Sequence, residues 1–419
     1  MFLIAIYLLL ILGLIVGERI NIGINPHCSI SSSISSIVHD TDTREFVVDL
    51  HRFRRCENPT FRVRLSGTAL YILNLTKHHY ESLRPRDTDS IFSPRKNVFH
   101  YTYPPIQDPG EYFLEIIVIF CAEFQPNDFE NVCVEDHYQG KSVVNAPYSV
   151  HLPTIPNGIL SNPPTPRWVL ENNTGMSYTP QLLPTRYQPR HCSDNEVCAE
   201  NHVEVNTLLH QQYEWRDQPD WVPAYKQLGK ATTNVCFIGA SHARELFAHA
   251  DQVVGLTTGL GLRFYYLESR FPNEYNNTLL TAHPCDYAVI GYGQWPASFM
   301  AWPKAWTAEV YAAHMQRVLT QVTSFASSSS MKIFIRSVNY NGMGVVHTHC
   351  PPIDHRSPPV IDMMNRILVR LCADTGVSYI DNSHIVGPMW DSAEDYCHPR
   401  GRVFTAEVEW ILHHIFTAP

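Results

Sequence analysis

The hydrophobic pattern divides the chain into four stretches. Residues 2–17 are continuously apolar and stop at Glu18 and Arg19. Residues 25–152 carry short runs, at 46–50, 61–65, 69–73 and 112–120, rich in β-branched and aromatic residues and separated by Asn, Pro, Gly and Ser. Gln107-Asp-Pro-Gly reads as a turn feeding the last run, with Pro109 and Gly110 at its corner. With no long period of 3.6, this stretch predicts an all-β sandwich. Residues 153–230 form a Pro-rich linker in which Pro153, Pro156, Pro163, Pro164, Pro166, Pro180, Pro184 and Pro189 exclude long helices and central strands. Trp168 and Trp215 suit a segment wrapped over a neighbouring surface. From 231 to 419, apolar strands at 235–239, 286–291, 332–338 and 377–381 alternate with amphipathic helices. Tyr311, Met315, Val318, Val322 and Phe325 share one helix face, as do Val360, Ile361, Met364, Leu368 and Leu371. That alternation predicts an α/β domain, a parallel sheet covered on both faces, with ligands at the carboxyl ends of its strands.

Composition narrows the function classes. Apolar residues make up 44% of the 419 and charged residues 17%, which excludes wholesale disorder. The net charge of −9, with no long basic run, excludes a general nucleic-acid binder. The apolar segment is shorter than the roughly 20 residues of a membrane-spanning helix, so residues 1–20 read as a secretory signal cut after Gly17, with an uncleaved signal anchor as the alternative. Membrane contact is expected only through this segment. Three sequons, at Asn74, Asn172 and Asn276, fit a secretory-pathway protein, secreted or anchored in the Golgi or at the cell surface. Many of the 11 cysteines should then pair. Cys192 with Cys198 and Cys121 with Cys133 suit local bridges, whereas Cys236, inside an apolar strand, reads as a buried free thiol.

Three segments can carry chemistry. Val235-Cys-Phe-Ile-Gly-Ala-Ser241 is an apolar strand, a glycine turn, then a serine opening a helix. Such a turn projects a serine hydroxyl at a helix N-terminus, whose unpaired N–H groups favour an oxyanion. A plain helix N-cap is the alternative. Asp395-Tyr-Cys-His398 follows the last strand and supplies an imidazole base with a carboxylate to orient it. Gly291-Tyr-Gly293-Gln294-Trp295 ends a middle strand, where the Gln294 amide can donate to an oxyanion.

In this order the three segments resemble an SGNH (GDSL-type) hydrolase of the PC-esterase branch. That branch includes trichome-birefringence-like proteins and the neurexophilin and PC-esterase domain family, which resemble each other in layout. Trp168-Val and Gln188-Pro-Arg-His-Cys192 resemble stretches that precede the serine strand in such proteins. The resemblance implies an SGNH-like three-layer parallel-sheet domain preceded by an immunoglobulin/filamin-like β-sandwich. It implies ester chemistry on a small acyl group, often acetyl, carried by a glycan or glycoconjugate, either by hydrolysis or by transfer from an acyl donor, with no cofactor. Ser241 would be the nucleophile, His398 the base and Asp395 its orienting carboxylate. The Ser241 N–H, Gly293 and Gln294 would form the oxyanion hole, and Trp295 and Arg244 would contact substrate. The chain departs from the family pattern at Ala240, where Asp is usual, and at Gln294, where Asn is usual. Gly255, Gly259 and Gly261 are candidates for a second oxyanion glycine.

Two other readings stand beside this one. Ala240 suits a catalytically inactive binding glycoprotein on the same scaffold. His347, His349, Asp354 and His355 are reminiscent of a zinc hydrolase, but the spacing is longer than that motif requires, and a His-rich loop over the site is the preferred reading.

Overall fold

The computed structural model describes residues 33–51, 60–82, 95–120, 138–142, 148–152, 167–170, 213–216, 232–255, 261–298, 301, 306–340, 356, 358–389, 398–399 and 401–417. The apolar leader, Asn172, Asp395, the His347–His355 cluster and the cysteines at 121, 133, 192, 198, 350 and 397 lie outside the described residues.

The first part of the chain is antiparallel. It comprises β1 (Ser33–Asp40), β2 (Glu45–His51), β3 (Thr60–Gly67), β4 (Ala69–Ile72), β5 (Asn74–Ser82), β6 (Arg95–Thr102), β7 (Gly110–Phe120), β8 (Tyr138–Ser142), β9 (Tyr148–Leu152), β10 (Arg167–Leu170) and β11 (Tyr213–Arg216). One sheet runs β1-β2-β6-β5; the other runs β11-β10-β4-β3-β7-β8, with β9 also on β7. Alternation joins them: Phe46, Val48, Phe99 and Tyr101 of the first sheet share a core with Val63, Leu65, Tyr71 and Leu114 of the second.

The Pro-rich stretch behaves differently from the expectation. Its β10 is flanked on both sides, by β11 and β4. The prolines stand outside these two four-residue strands, so they shorten the strands without preventing pairing. Trp168 on β10 and Trp215 on β11 face the α/β core instead of the core between the two antiparallel sheets. Trp168 is 1% exposed, and its indole N–H donates to the Ile385 carbonyl at 2.8 Å.

The α/β half contains β12 (Thr233–Gly239), α1 (Ser241–Gly255), β13 (Leu262–Glu268), β14 (Tyr287–Gly291), α2 (Ala308–Ala326), β15 (Lys332–Arg336), α3 (Pro358–Thr375), β16 (Ser378–Ile380) and α4 (Gly401–Thr417). Its sheet is parallel throughout, in the order β13-β12-β14-β15-β16. Strand alternation splits the packing. Cys236, Ile238, Ala288 and Ile290 pack with Tyr311 and Met315 of α2 and Ile361 and Met364 of α3. Val235, Phe237 and Val289 pack with Leu246 of α1 and Phe404 and Val408 of α4. These continuous apolar strands are buried on both faces, as a helix-covered parallel sheet requires.

One cysteine departs from its expected state. Cys236 is not free: it is bonded to Cys285, just before β14. An apolar strand is equally suited to a buried half-cystine, and the partner in the neighbouring strand's approach was not visible in the local pattern. Among the described residues, Cys372 is the free thiol. No helix among the described residues is long and apolar enough to cross a membrane.

Candidate active site

The site forms where the carboxyl ends of β12, β14 and β15 meet the N-termini of α1 and α4. Gly239 ends β12 with φ 153°, and a Cβ there would lie 2.5 Å from the Gly291 carbonyl oxygen. Only glycine lets β12 and β14 approach this closely at their ends. The chain then turns through Ala240, whose carbonyl accepts from the N–H groups of Ala243 (3.0 Å) and Arg244 (3.2 Å). Ala240 therefore stands at the cap, and Ser241 is the first residue of α1. Its hydroxyl is directed elsewhere: Ser241 Oγ lies 2.9 Å from His398 Nε2. A sequence separation of 157 is thus closed to hydrogen-bond distance. His398 stands just before α4, with its ring 5.0 Å from that of His242.

The third segment adjoins the pair. Gly293 has φ 153°, and a side chain there would collide with Val338. Gln294 is 7% exposed, and its Nε2 donates to the Asn339 main-chain carbonyl. A cavity of about 20 Å³, room for roughly one water molecule, is lined by Ala240, His242, Arg270, Gln294, Trp295 and Asn339, among others.

Of the two expected substrate contacts, one lies at this cavity. Trp295 lines it, with the Arg270 guanidinium carbon 4.9 Å from its ring centroid. Arg244 points to solvent on α1 and pairs with Glu245 at 3.3 Å, so it is not among the lining residues. Position i+3 on a helix neighbours position i, so the backbone leaves Arg244 close to Ser241. It is the course of its long side chain, 59% exposed and turned to Glu245, that takes the guanidinium out to solvent. Arg270 takes its place at the cavity. It follows β13, held to Glu268 at 2.7 Å, and that hydrogen bond with the adjacent carboxylate charge raises its pKa. The signal was an arginine just past a parallel strand's carboxyl end.

Two of the three candidates for a second oxyanion glycine, Gly255 and Gly261, stand away from the site. Gly261 precedes β13, at the end of the sheet opposite Gly239, and Gly255 is the last residue of α1. Gly259 lies outside the described residues. Asn74 lies on β5 and Asn276 is exposed in a turn, its Oδ1 accepting the Thr278 N–H at 2.9 Å.

Beneath the pair lies buried charge that the sequence did not single out. Glu407 of α4 is 0% exposed and lies 3.5 Å from Arg336, which is 4% exposed. Burial pushes the Glu407 carboxyl up in pKa, opposed by Arg336 and by hydrogen bonds from Asn382 and Asn339. Burial likewise lowers Arg336, with Glu407 acting the other way. Among the described residues, no group of three or more His, Cys, Asp or Glu is placed to hold a metal ion.

No family model matches the chain, and no curated protein matches it. Solved structures similar to it include an inhibitor-bound aryl esterase from M. smegmatis, at 14% identity and TM-score 0.34, covering 44% of this chain and 98% of that one. A carbohydrate acetylesterase family member from Sinorhizobium meliloti covers 45% and 100% at 10% identity and TM-score 0.30. A carbohydrate esterase family 2 enzyme with a carbohydrate binding domain, from Corynascus thermopiles, covers 91% and 98% at 9% identity and TM-score 0.30. At such scores the functional reading rests on the geometry of the site.

Proposed function

We propose that this chain is a serine esterase or O-acyltransferase of SGNH type, from the PC-esterase branch, with an immunoglobulin/filamin-like module before its catalytic domain. The observation that carries the reading is the 2.9 Å contact between His398 Nε2 and the Ser241 hydroxyl at the start of a helix. In this mechanism the hydroxyl donates to Nε2, and His398 takes the proton as Ser241 Oγ attacks the ester carbonyl carbon. The carbonyl oxygen gains negative charge, which the first N–H groups of α1, Gly293 and the Gln294 amide stabilise. His398 returns its proton to the departing alkoxide, leaving an acyl-serine and an alcohol. Water or an acceptor hydroxyl then attacks the acyl carbon by the same route, giving hydrolysis or transfer. Asp395 is assigned the orienting role for the imidazolium.

The proposed substrate is a small acyl ester, such as acetyl, on a glycan, because the cavity lined by Ala240 and His242, the neighbours of Ser241 in the chain, is small and includes the aromatic Trp295. The secretory pathway is the proposed setting, supported by the buried Cys236–Cys285 bond and the exposed Asn276 sequon. The test is turnover of an acetyl ester and labelling by a fluorophosphonate, native protein against Ser241→Ala. Loss of both, by 10³-fold or more in turnover on the order seen for serine nucleophiles, is expected. Undiminished labelling of Ser241→Ala would sink the serine mechanism.

A further inference from the structure

The steps above use Ser241, His398 and Gln294, and leave the buried layer beneath them without a task. Its centre is Asn339, 1% exposed, just beyond β15. Asn339 Nδ2 donates to Glu407 Oε2 at 2.8 Å and lies 3.3 Å from His242 Nδ1. Asn339 Oδ1 accepts from Arg336 Nη1 at 3.3 Å. A carboxylate on one end and a guanidinium on the other leave only one orientation for this amide. Because Nδ2 is the donor, His242 Nδ1 is an acceptor, and the His242 proton sits on Nε2. Glu407 is itself pinned, since its Oε1 accepts from Asn382 Nδ2 at 2.7 Å.

The main-chain carbonyl of this clamped residue accepts from Gln294 Nε2. One N–H of the Gln294 amide is thereby aimed, and planarity fixes the direction of the other. We propose that Asn339 is a positioning residue: clamped by Glu407 and Arg336, it sets the amide plane of Gln294 where the oxyanion forms. The inference rests on the esterase reading. It adds a route by which α4, whose N-terminus follows His398, keeps the base and the oxyanion donor in register. Glu407 serves both, because it lies on α4 and holds Asn339.

The test is a double-mutant cycle in the full-length protein, with kcat and KM measured for a soluble acetyl ester. Gln294→Ala alone should lower kcat about 100-fold, the usual effect of losing one oxyanion donor. Asn339→Ala alone should lower kcat about 30-fold with KM within twofold, since a misplaced donor forfeits most of its effect. If Asn339 acts through Gln294, the double variant falls no more than about threefold below Gln294→Ala. Losses that multiply, or an Asn339→Ala variant with native kcat and a lowered thermal midpoint, would overturn the proposal. Should Asn339→Ala not fold, Glu407→Gln carries the same cycle. Its new amide must turn a donor toward Asn339 or Asn382, which breaks the clamp at nearly constant volume. Native turnover in Ser241→Ala would end the esterase reading itself, whereas an additive cycle with a dead Ser241→Ala ends only this inference.

Discussion

Arg64 and Arg336 are both almost wholly buried, at 1% and 4% exposure, and each is paired with a glutamate, yet they hold different things together. Arg64, on β3, lies directly opposite Glu115 on β7 and donates to it from Nε at 2.6 Å. Its Nη1 donates to the Pro388 carbonyl at 2.7 Å, so the same guanidinium joins the antiparallel sheet to the α/β domain. Arg336 contacts Glu407, Ser337 and Asn339, all within the α/β domain. One device, a buried arginine with several acceptors, therefore fixes a domain seam in one place and the floor of the candidate site in the other. Desolvation makes either pair a weak source of net stability, but breaking one strands a charge.

The comparison is sharpest when each pair is broken from one side. Arg64→Met should cost about 3–5 kcal/mol in denaturant unfolding, because Glu115 loses its guanidinium in a largely buried setting. Turnover per folded molecule should stay within twofold of native. Glu407→Ala should cost a similar amount, leaving Arg336 uncompensated, and should also lower kcat through Asn339. Equal losses of turnover in the two variants would erase the distinction between seam and site.

The Cys236–Cys285 bond provides a second contrast, since it lies inside the α/β half and touches neither pair. It closes a separation of 49 residues. Replacing both cysteines by alanine should therefore cost about 2–4 kcal/mol, chiefly by freeing the unfolded chain. Thermal unfolding that still proceeds in one transition would mean the halves unfold together. Separate transitions, with only the α/β one lowered, would show that the seam around Arg64 is the weaker joint.

The α/β half was legible in the sequence because its strands are buried on both faces and its helices keep one apolar face, so periodicity and function of position coincide. The Ser241 and Gln294 segments stood out because glycines and polar residues interrupt those strands at their ends, and the His398 segment because it sets an imidazole beside a carboxylate just before the last helix. What stayed hidden depends on long-range pairing. Cys285 lies 49 residues from Cys236, and nothing local to either shows that they meet. Glu407 sits in a helix whose other buried positions, such as Val403 and Val408, are apolar, so it resembles a stray polar residue until Arg336 and Asn339 arrive from elsewhere. Arg244 stands one turn after Ser241 as the sequence indicates, but spacing does not set the course of a long side chain, which here runs to solvent and Glu245. The strands of β10 and β11 were missed because four residues are too few to show a period.

The mildest test concerns His384, on the α/β side of the seam. Its ring lies 5.3 Å from Trp215 of β11 and 4.9 Å from Trp410 of α4. Its Nε2 is buried without a hydrogen-bond partner. Burial lowers its pKa from 6.5 to about 4, with Asp381 pulling it up and His414 pushing it down. The folded protein therefore keeps His384 neutral where the unfolded chain already binds a proton. Since the unfolded state holds more protons in this interval, stability falls as pH drops from about 6.5 to about 4, and this contribution levels off below that. The loss should be about 1–2 kcal/mol, less than the full shift implies because the residue as a whole is only half-buried. His384→Phe keeps an aromatic ring against both tryptophans and removes the titration, so its unfolding free energy should vary less between pH 7 and 4 than that of the native protein. An unchanged slope would place the acid sensitivity elsewhere, and the aromatic seam would then be held by packing alone.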